Sequence, residues 1–319
     1  MPPPKPLDLL AYHRPKRIRA SQADREGRIP HLSAESKQYF ACIRNLAAHR
    51  AKPLPFPIPR SRCAAVLVAL FVGRSGDLRV LLNRRSARLR TYAGDTSLPG
   101  GKVEDGDKTI EDTARREAFE EIGLPIDRVK VPLLAILDPI LAWNNLIVTP
   151  VVVLILDKTL QPVLNADEVA SIFSHPLSGF FSSTPPFSSS PSQADAVPYH
   201  RSHEWLSTGP NNTQQVYRVH IFLTGREADG TQPITGLTAH VLINTTIVAY
   251  GREPDFEPLP AAALGMHQRI AWALWSNPDF RTSYESEGIK IEWDKIRRIA
   301  GVKEGNGGEN EGKRRGAKL

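Results

Sequence analysis

The segment from Leu81 to Leu124 constrains this chain more than any other, because it ends in a helix with both boundaries fixed. Apolar residues recur at helical spacing from Thr109 to Ile122. Thr109 is placed to cap the first turn, and Glu111 and Asp112 suit the positive end of the helix dipole. Gly123 stands where a left-handed C-terminal residue belongs, and Pro125 forbids continuation. A helix bounded in this way puts Glu117, Glu120 and Glu121 on one face. Like charges at these spacings cost about 0.2–0.5 kcal/mol per pair, so a counter-charge is expected. A hard divalent cation, Mg²⁺ or Mn²⁺, supplies one, since it takes carboxylate oxygens together with water and phosphate. Upstream lie Arg84, Arg85, Arg88 and Arg90, whose guanidinium forks match phosphate oxygens. The turn Leu98-Pro99-Gly100-Gly101 joins the two halves. Arginines, glycine turn and carboxylates together point to metal-assisted chemistry on a phosphate ester. The plainer alternatives are a solvated acidic helix face and surface salt bridges.

The flanks divide the chain. Residues 1–30 are rich in Pro, Lys and Arg with little periodicity and read as a disordered basic extension. Residues 31–60 hold a helix from Glu35 to about His49, capped by Ser33, and then a linker, KPLPFPIPR, whose alternating prolines remove backbone donors. The main domain is expected over 61–295. Within it Ala64–Val72 and Leu78–Leu82 read as strands around a turn at Gly76-Asp77, and Val131–Leu137, Ile147–Leu156 and Val216–Thr224 as further strands. Glu168–Phe173 reads as a short helix or turn, and 181–215 as a Ser/Pro-rich insertion looping out of the domain. Thr238–Ala249 is helical by position, although Thr245, Thr246, Ile247 and Val248 also suit a strand. Ala261–Trp275 reads as an amphipathic helix, and 296–319 as a basic tail.

The net charge of +7 hides a division. Residues 1–60 carry 12 Lys/Arg against 4 Asp/Glu, and 295–319 carry 8 against 3, so residues 61–294 are net −6. A domain acting on nucleic acid needs a basic face on its folded part, so no nucleic-acid partner is expected. The apolar run Val148–Leu156 is broken by Pro150 and is far short of the roughly 20 residues a membrane span needs. Cys42 and Cys63 are the two cysteines, too few for a disulfide framework. His200-Arg-Ser-His203-Glu204 has the wrong order for a zinc-binding His-Glu-x-x-His motif.

From Arg116 to Leu124 the pattern Arg-Glu-Ala-Phe-Glu-Glu-Ile-Gly-Leu resembles the second half of the Nudix hydrolase box. With Gly101 as the first glycine, the acidic residue after five intervening positions is Asp107, and eight residues separate it from Arg116. This box, one residue longer than usual, resembles the coenzyme A diphosphatase branch. That branch has an upstream signature matched by Leu81, Leu82, Arg85, Ser86, Arg90, Gly94, Pro99, Gly100 and Gly101 at the right spacing, with Asn83 in place of Thr and Leu98 in place of Phe. The resemblance extends from about Ala64 to Trp275 and includes Asn165-Ala-Asp-Glu168-Val169.

The resemblance implies an α/β fold, the Nudix α/β/α sandwich around a mixed β-sheet. It implies hydrolysis of the diphosphate of coenzyme A or acyl-CoA with Mg²⁺ or Mn²⁺, giving 3′,5′-ADP and 4′-phosphopantetheine. Glu117 and Glu121 would bind the metal, with Glu120 a further ligand or a water-orienting base, and Glu168 the alternative base. Arg85 and Arg90 would hold phosphate beside the Gly100-Gly101 turn, while Arg116 pairs with a nearby carboxylate and fixes the helix. The enzyme alternative is a diphosphatase for another nucleotide, such as NADH or an oxidised dNTP, and the non-enzymatic one a nucleotide sensor. The ending Ala317-Lys318-Leu319 resembles the Ser-Lys-Leu address read by a peroxisomal import receptor, so a peroxisomal location is expected, with cytoplasmic or mitochondrial as alternatives.

Overall fold

The computed structural model describes residues 34–157, 159–187 and 197–303, with side chains from residue 40. Ser33, the extension before it and the ending at Ala317–Leu319 lie outside the described residues.

At the centre is strand β1 (Cys63–Val72), apolar on both faces and buried along most of its length. It pairs in parallel with β7 (Ile147–Leu154), which is buried at every position. Parallel strands covered on both faces read as continuous apolar runs, as here. Antiparallel partners complete a mixed eight-stranded sheet. Against β1 lie β2 (Leu78–Arg85) and the short β4 (Gly100–Lys102). Against β7 lie β5 (Leu133–Ile136) and β6 (Ile140–Leu141). β3 (Thr96–Ser97) and β8 (Val169–Pro176) pair with β2.

Helices cover both faces, giving an α/β/α sandwich around a mixed sheet. On one face α2 (Ile110–Ile122) buries Ile110, Ala114, Ala118 and Ile122 against Ala65, Leu67 and Ala69 of β1. On the other, α1 (Ala34–Ala48) and α3 (Gly236–Tyr250) close over Val68, Leu70 and Leu82. A separate antiparallel sheet holds β9 (His200–Thr208), β10 (Gln214–Phe222) and β11 (Ile234–Thr235). Three helices end the described chain: α4 (Met266–Ser276), α5 (Pro278–Ser286) and α6 (Trp293–Ala300). They build their own core from Ile270, Leu274, Phe280, Tyr284 and Ile296, closed by Phe56 of the proline linker and Ile147.

Several expectations are corrected. The turn expected at Glu168 is present at 166–168, but residues 169–176 continue as a strand and not a helix. Asn165 Oδ1 accepts from the Asp167 amide at 3.2 Å, a side-chain turn that imitates a helix cap, and the chain then runs extended along β2. The segment read as a loop from 181 to 215 contains all of β9. β9 is exposed almost throughout, so apolar patterning gives no sign of it. α4 starts at Met266, five residues later than expected, and α5 and α6 were not anticipated. The ambiguous stretch around Thr245 is helical: Thr245 and Thr246 donate their hydroxyls back to the Val241 and Ile243 carbonyls, both at 2.7 Å.

His175 sits at the end of β8, 1% exposed, with Nδ1 at 2.9 Å from the Pro176 carbonyl and its ring 4.8 Å from that of Phe180. Burial pulls its pKa down to about 4. The unfolded imidazole, near 6.5, takes up a proton that the folded one refuses, so stability is full above pH 6.5 and is lost as pH falls from 6.5 towards 4. Between pH 7.5 and 5.0 this one group is expected to cost about 2 kcal/mol. Urea unfolding of wild type and His175→Asn at the two pH values tests it. An equal pH difference in both proteins would show that His175 does not carry the effect.

Candidate functional site

The site lies where α2 passes the β3–β4 turn and the end of β2. Its helix is set as the sequence expects. Thr109 Oγ1 accepts from the Asp112 amide at 3.1 Å, the Asp112 carboxylate accepts from the Thr109 amide at 3.0 Å, and Gly123 takes a left-handed φ of 67°.

Glu121 is 4% exposed and faces β2. Its Oε2 accepts from Asn83 Nδ2 at 2.9 Å, and the Gly100 backbone amide also donates to it. Burial and then the charge of Glu117, with a further push from Glu168, raise its pKa to about 7, opposed by Arg85. Burial likewise pushes Glu117 up, against the pull of Arg116. The glycine turn is required by this arrangement. A Cβ on Gly101 would collide with the Glu117 carboxylate, and one on Gly100 with the Ala65 carbonyl. Gly100→Ala, whose Cβ would meet backbone atoms of Ala65 and Val66, is therefore expected to destabilise the fold by about 1–3 kcal/mol. Gly106→Ala, where a Cβ meets nothing within 4 Å, serves as the neutral control. Equal unfolding midpoints for the two variants would remove the packing argument.

Arg116 is the hub of the exposed side. It donates through Nε and Nη2 to the two oxygens of Asp107 at 3.1 and 3.0 Å, through Nη1 to Glu117 at 3.0 Å and Glu120 at 3.1 Å, and through Nη2 to the Lys102 carbonyl at 2.9 Å. Glu120 is thus held on Arg116 and half exposed.

Of the residues singled out in the sequence, Glu117, Glu121, Glu168, Arg85, Gly100 and Gly101 converge. Glu168 is exposed just before β8, and its carbonyl accepts from the Ser86 amide at 2.8 Å. Arg85 ends β2 where the pairing with β8 breaks register, and its Nε is buried without a hydrogen-bond partner among the described residues. Arg90 is exposed in the loop after β2, with no ion pair among the described residues.

Two neighbours in the upstream pattern, Asn83 and Arg84, are placed by the fold in ways that their position in the sequence does not reveal. Asn83, 1% exposed, accepts from Ser97 Oγ at 2.6 Å and so is fixed to present its amide to Glu121. The signal was a polar residue on the inward face of an apolar strand, in register with Leu81. Arg84 has a second buried, unpartnered Nε, and its guanidinium lies near Gly230 and the Asp229 carbonyl.

Three carboxylates that feel one another, with Arg85 the opposing charge, suit a hard divalent cation in both donor type and field. Among the described residues no group of three or more such side chains is already gathered around one point, because Arg116 holds Glu117 and Glu120. The donors are of the right kind, and Arg116 pairs with two of the α2 carboxylates, Glu117 and Glu120.

Residues 61–176 match the family model described as NUDIX domain. "Nudix hydrolase 15, mitochondrial" of Arabidopsis thaliana is 39% identical over 194 residues, covering 60% of this chain and 60% of that protein. "Peroxisomal coenzyme A diphosphatase 1, peroxisomal" of Saccharomyces cerevisiae is 47% identical over 89 residues, 27% of this chain and 26% of that one. "Uncharacterized Nudix hydrolase NudL" of Pectobacterium atrosepticum is 43% identical over 129 residues, 40% of this chain and 64% of that one. The chain spans 60% of the length of the first plant relative.

Proposed function

On the premise that residues 61–176 form a Nudix domain, we propose that this chain hydrolyses the diphosphate of coenzyme A or its thioesters, using Mg²⁺ or Mn²⁺. The observation that carries the reading is the meeting of Glu117, Glu121 and Glu168 beside Arg85, whose buried Nε has no partner among the described residues. In this reading Glu117 and Glu121 hold the cation, with Glu120 as a further ligand. When bound, the cation neutralises charge on the diphosphate and acidifies the attacking water. Arg85 binds a phosphate oxygen through its guanidinium, whose Nε–H has no partner among the described residues. Asn83 and the Gly100 amide fix the Glu121 carboxylate, so its orientation is set before substrate arrives.

Glu168 serves better than Glu120 as the base. It is exposed next to the buried Glu121, whereas Glu120 is engaged by Arg116. Water adds its oxygen to one phosphorus, the bridging P–O bond breaks, and Glu168 takes the proton. The products are 3′,5′-ADP and 4′-phosphopantetheine, or its acyl form. Arg90, exposed and without an ion pair among the described residues, is assigned to the outer phosphate of the substrate. The choice of coenzyme A rests on the Leu81–Gly101 pattern and on the yeast relative named as a coenzyme A diphosphatase.

Mass analysis of products from coenzyme A, acetyl-CoA, NADH and 8-oxo-dGTP, each with Mg²⁺ or Mn²⁺, tests the proposal. Coenzyme A or its thioester is expected to be cleaved fastest. Faster cleavage of NADH or 8-oxo-dGTP would overturn the substrate and keep the reaction, and no cleavage with either metal would leave a nucleotide-binding module.

A further inference from the structure

On the α3 face of the molecule, away from the α2 carboxylates, two cavities of about 150 and 220 Å³ share Arg269, His240, Met266, Leu259 and Ile140. Their walls are mostly apolar. Arg269 and Arg218 both line the first, and they differ in one respect. Arg218 is neutralised twice, by Glu204 at 2.8 Å and by Glu257. Arg269 has no carboxylate partner among the described residues, and its Nε is buried without a hydrogen bond. Its compensation is Tyr217, which shares a side-chain hydrogen bond with it and whose ring centroid lies 4.3 Å from the guanidinium. A neutral phenol and a ring face offset only part of the cost of desolvating a guanidinium, and the buried Nε–H still lacks an acceptor, so an anion is missing from this balance.

The rim supplies a second observation. Trp143, 60% exposed, stands on the hairpin between β6 and β7, with its ring 5.7 Å from Tyr217 and 6.3 Å from Trp205. An indole left uncovered at the mouth of an apolar cavity is a stacking surface for a planar ring. His240, pulled down to about 4 by burial and by Arg269, is a neutral imidazole that can donate or accept one hydrogen bond inside.

We propose that this cavity is a second ligand site, taking a planar ring that carries a phosphate or carboxylate, with the anion on Arg269 and the ring against Trp143 and Tyr217. The two ligand sources share that chemistry, one a nucleotide and the other an aryl carboxylate. The proposal stands whether or not the α2 carboxylates act on coenzyme A.

The test uses the full chain in EDTA, titrated with AMP and with 2-naphthoate while tryptophan fluorescence and heat are followed. At least one is expected to bind, and which one identifies the source. Adenosine and 2-naphthamide, the uncharged counterparts, should bind about tenfold more weakly or worse. Arg269→Gln should remove that preference for the anion without lowering the unfolding temperature, since it relieves an uncompensated charge. Trp143→Ala, at an exposed position that does not threaten folding, should weaken both charged and neutral ligands. Glu121→Gln should leave affinity unchanged. Absence of binding by either anion, binding indifferent to Arg269→Gln, or binding lost in Glu121→Gln would each overturn the proposal.

Discussion

Glu121→Gln is expected to abolish turnover, by about 10³-fold or more, while the protein unfolds at the same or a higher temperature. The two halves of this expectation have one cause. Glu121 is almost wholly buried, and burial together with Glu117 and Glu168 disfavours its charge. Glutamine keeps the shape and an oxygen for Asn83 Nδ2 or the Gly100 amide, and removes the charge that the fold bears at a cost. That same charge is what a divalent cation needs. Losing several kcal/mol of metal-borne stabilisation in the transition state is about a 10³-fold loss of rate. Steady-state kinetics with saturating Mg²⁺ and thermal unfolding in EDTA measure the two halves separately. Retained turnover would remove Glu121 from the metal site. Lost turnover with a collapsed unfolding temperature would mean that the residue acts through the fold.

How much of this site was legible in the sequence depends on whether a residue's role is local. Helix α2 could be read in full: Thr109 caps it, Gly123 ends it, and the spacing of Glu117 and Glu121 fixes their common face. The Gly100-Gly101 turn could be placed, and the reason for it could not, because the colliding atoms belong to Glu117 and Ala65, distant in sequence. Asn83 and Arg84 are adjacent and equally polar, yet Asn83 is fixed on Glu121 while Arg84 lies near Gly230. Strand alternation separates them, and only the packed sheet says what each one meets. The same limit applies to β9, whose nine residues carry little apolar periodicity because the strand is exposed on both faces. Arg269 is the extreme case. Nothing in its neighbourhood in sequence distinguishes it from a surface arginine, and its isolation follows from α4 packing beside β10 and the β6–β7 hairpin.

The one-residue-longer spacing between Asp107 and Arg116 leads to the other large expected effect. The extra residue is absorbed before the helix begins: Lys108 is exposed and Thr109 still caps the first turn, so Asp107 stays within reach of Arg116. Asp107 is 6% exposed and fully committed, accepting from Arg116, from the Glu104 amide at 2.9 Å and from Thr113 Oγ1 at 2.9 Å. These donors hold its carboxyl below the usual range against the opposing effect of burial. Arg116→Leu therefore strands a buried carboxylate and is expected to cost about 3–5 kcal/mol in urea unfolding. It also releases Glu117 and Glu120, so activity should fall with stability. Asp107→Asn added to Arg116→Leu removes the stranded charge, and the double variant should be more stable than Arg116→Leu alone, with a coupling of about 1–3 kcal/mol. Strictly additive costs would mean that the pair is not coupled. Recovered stability without recovered activity is the expected pattern, because Asp107 supports the hub, whereas Arg116 sets where Glu117 and Glu120 point.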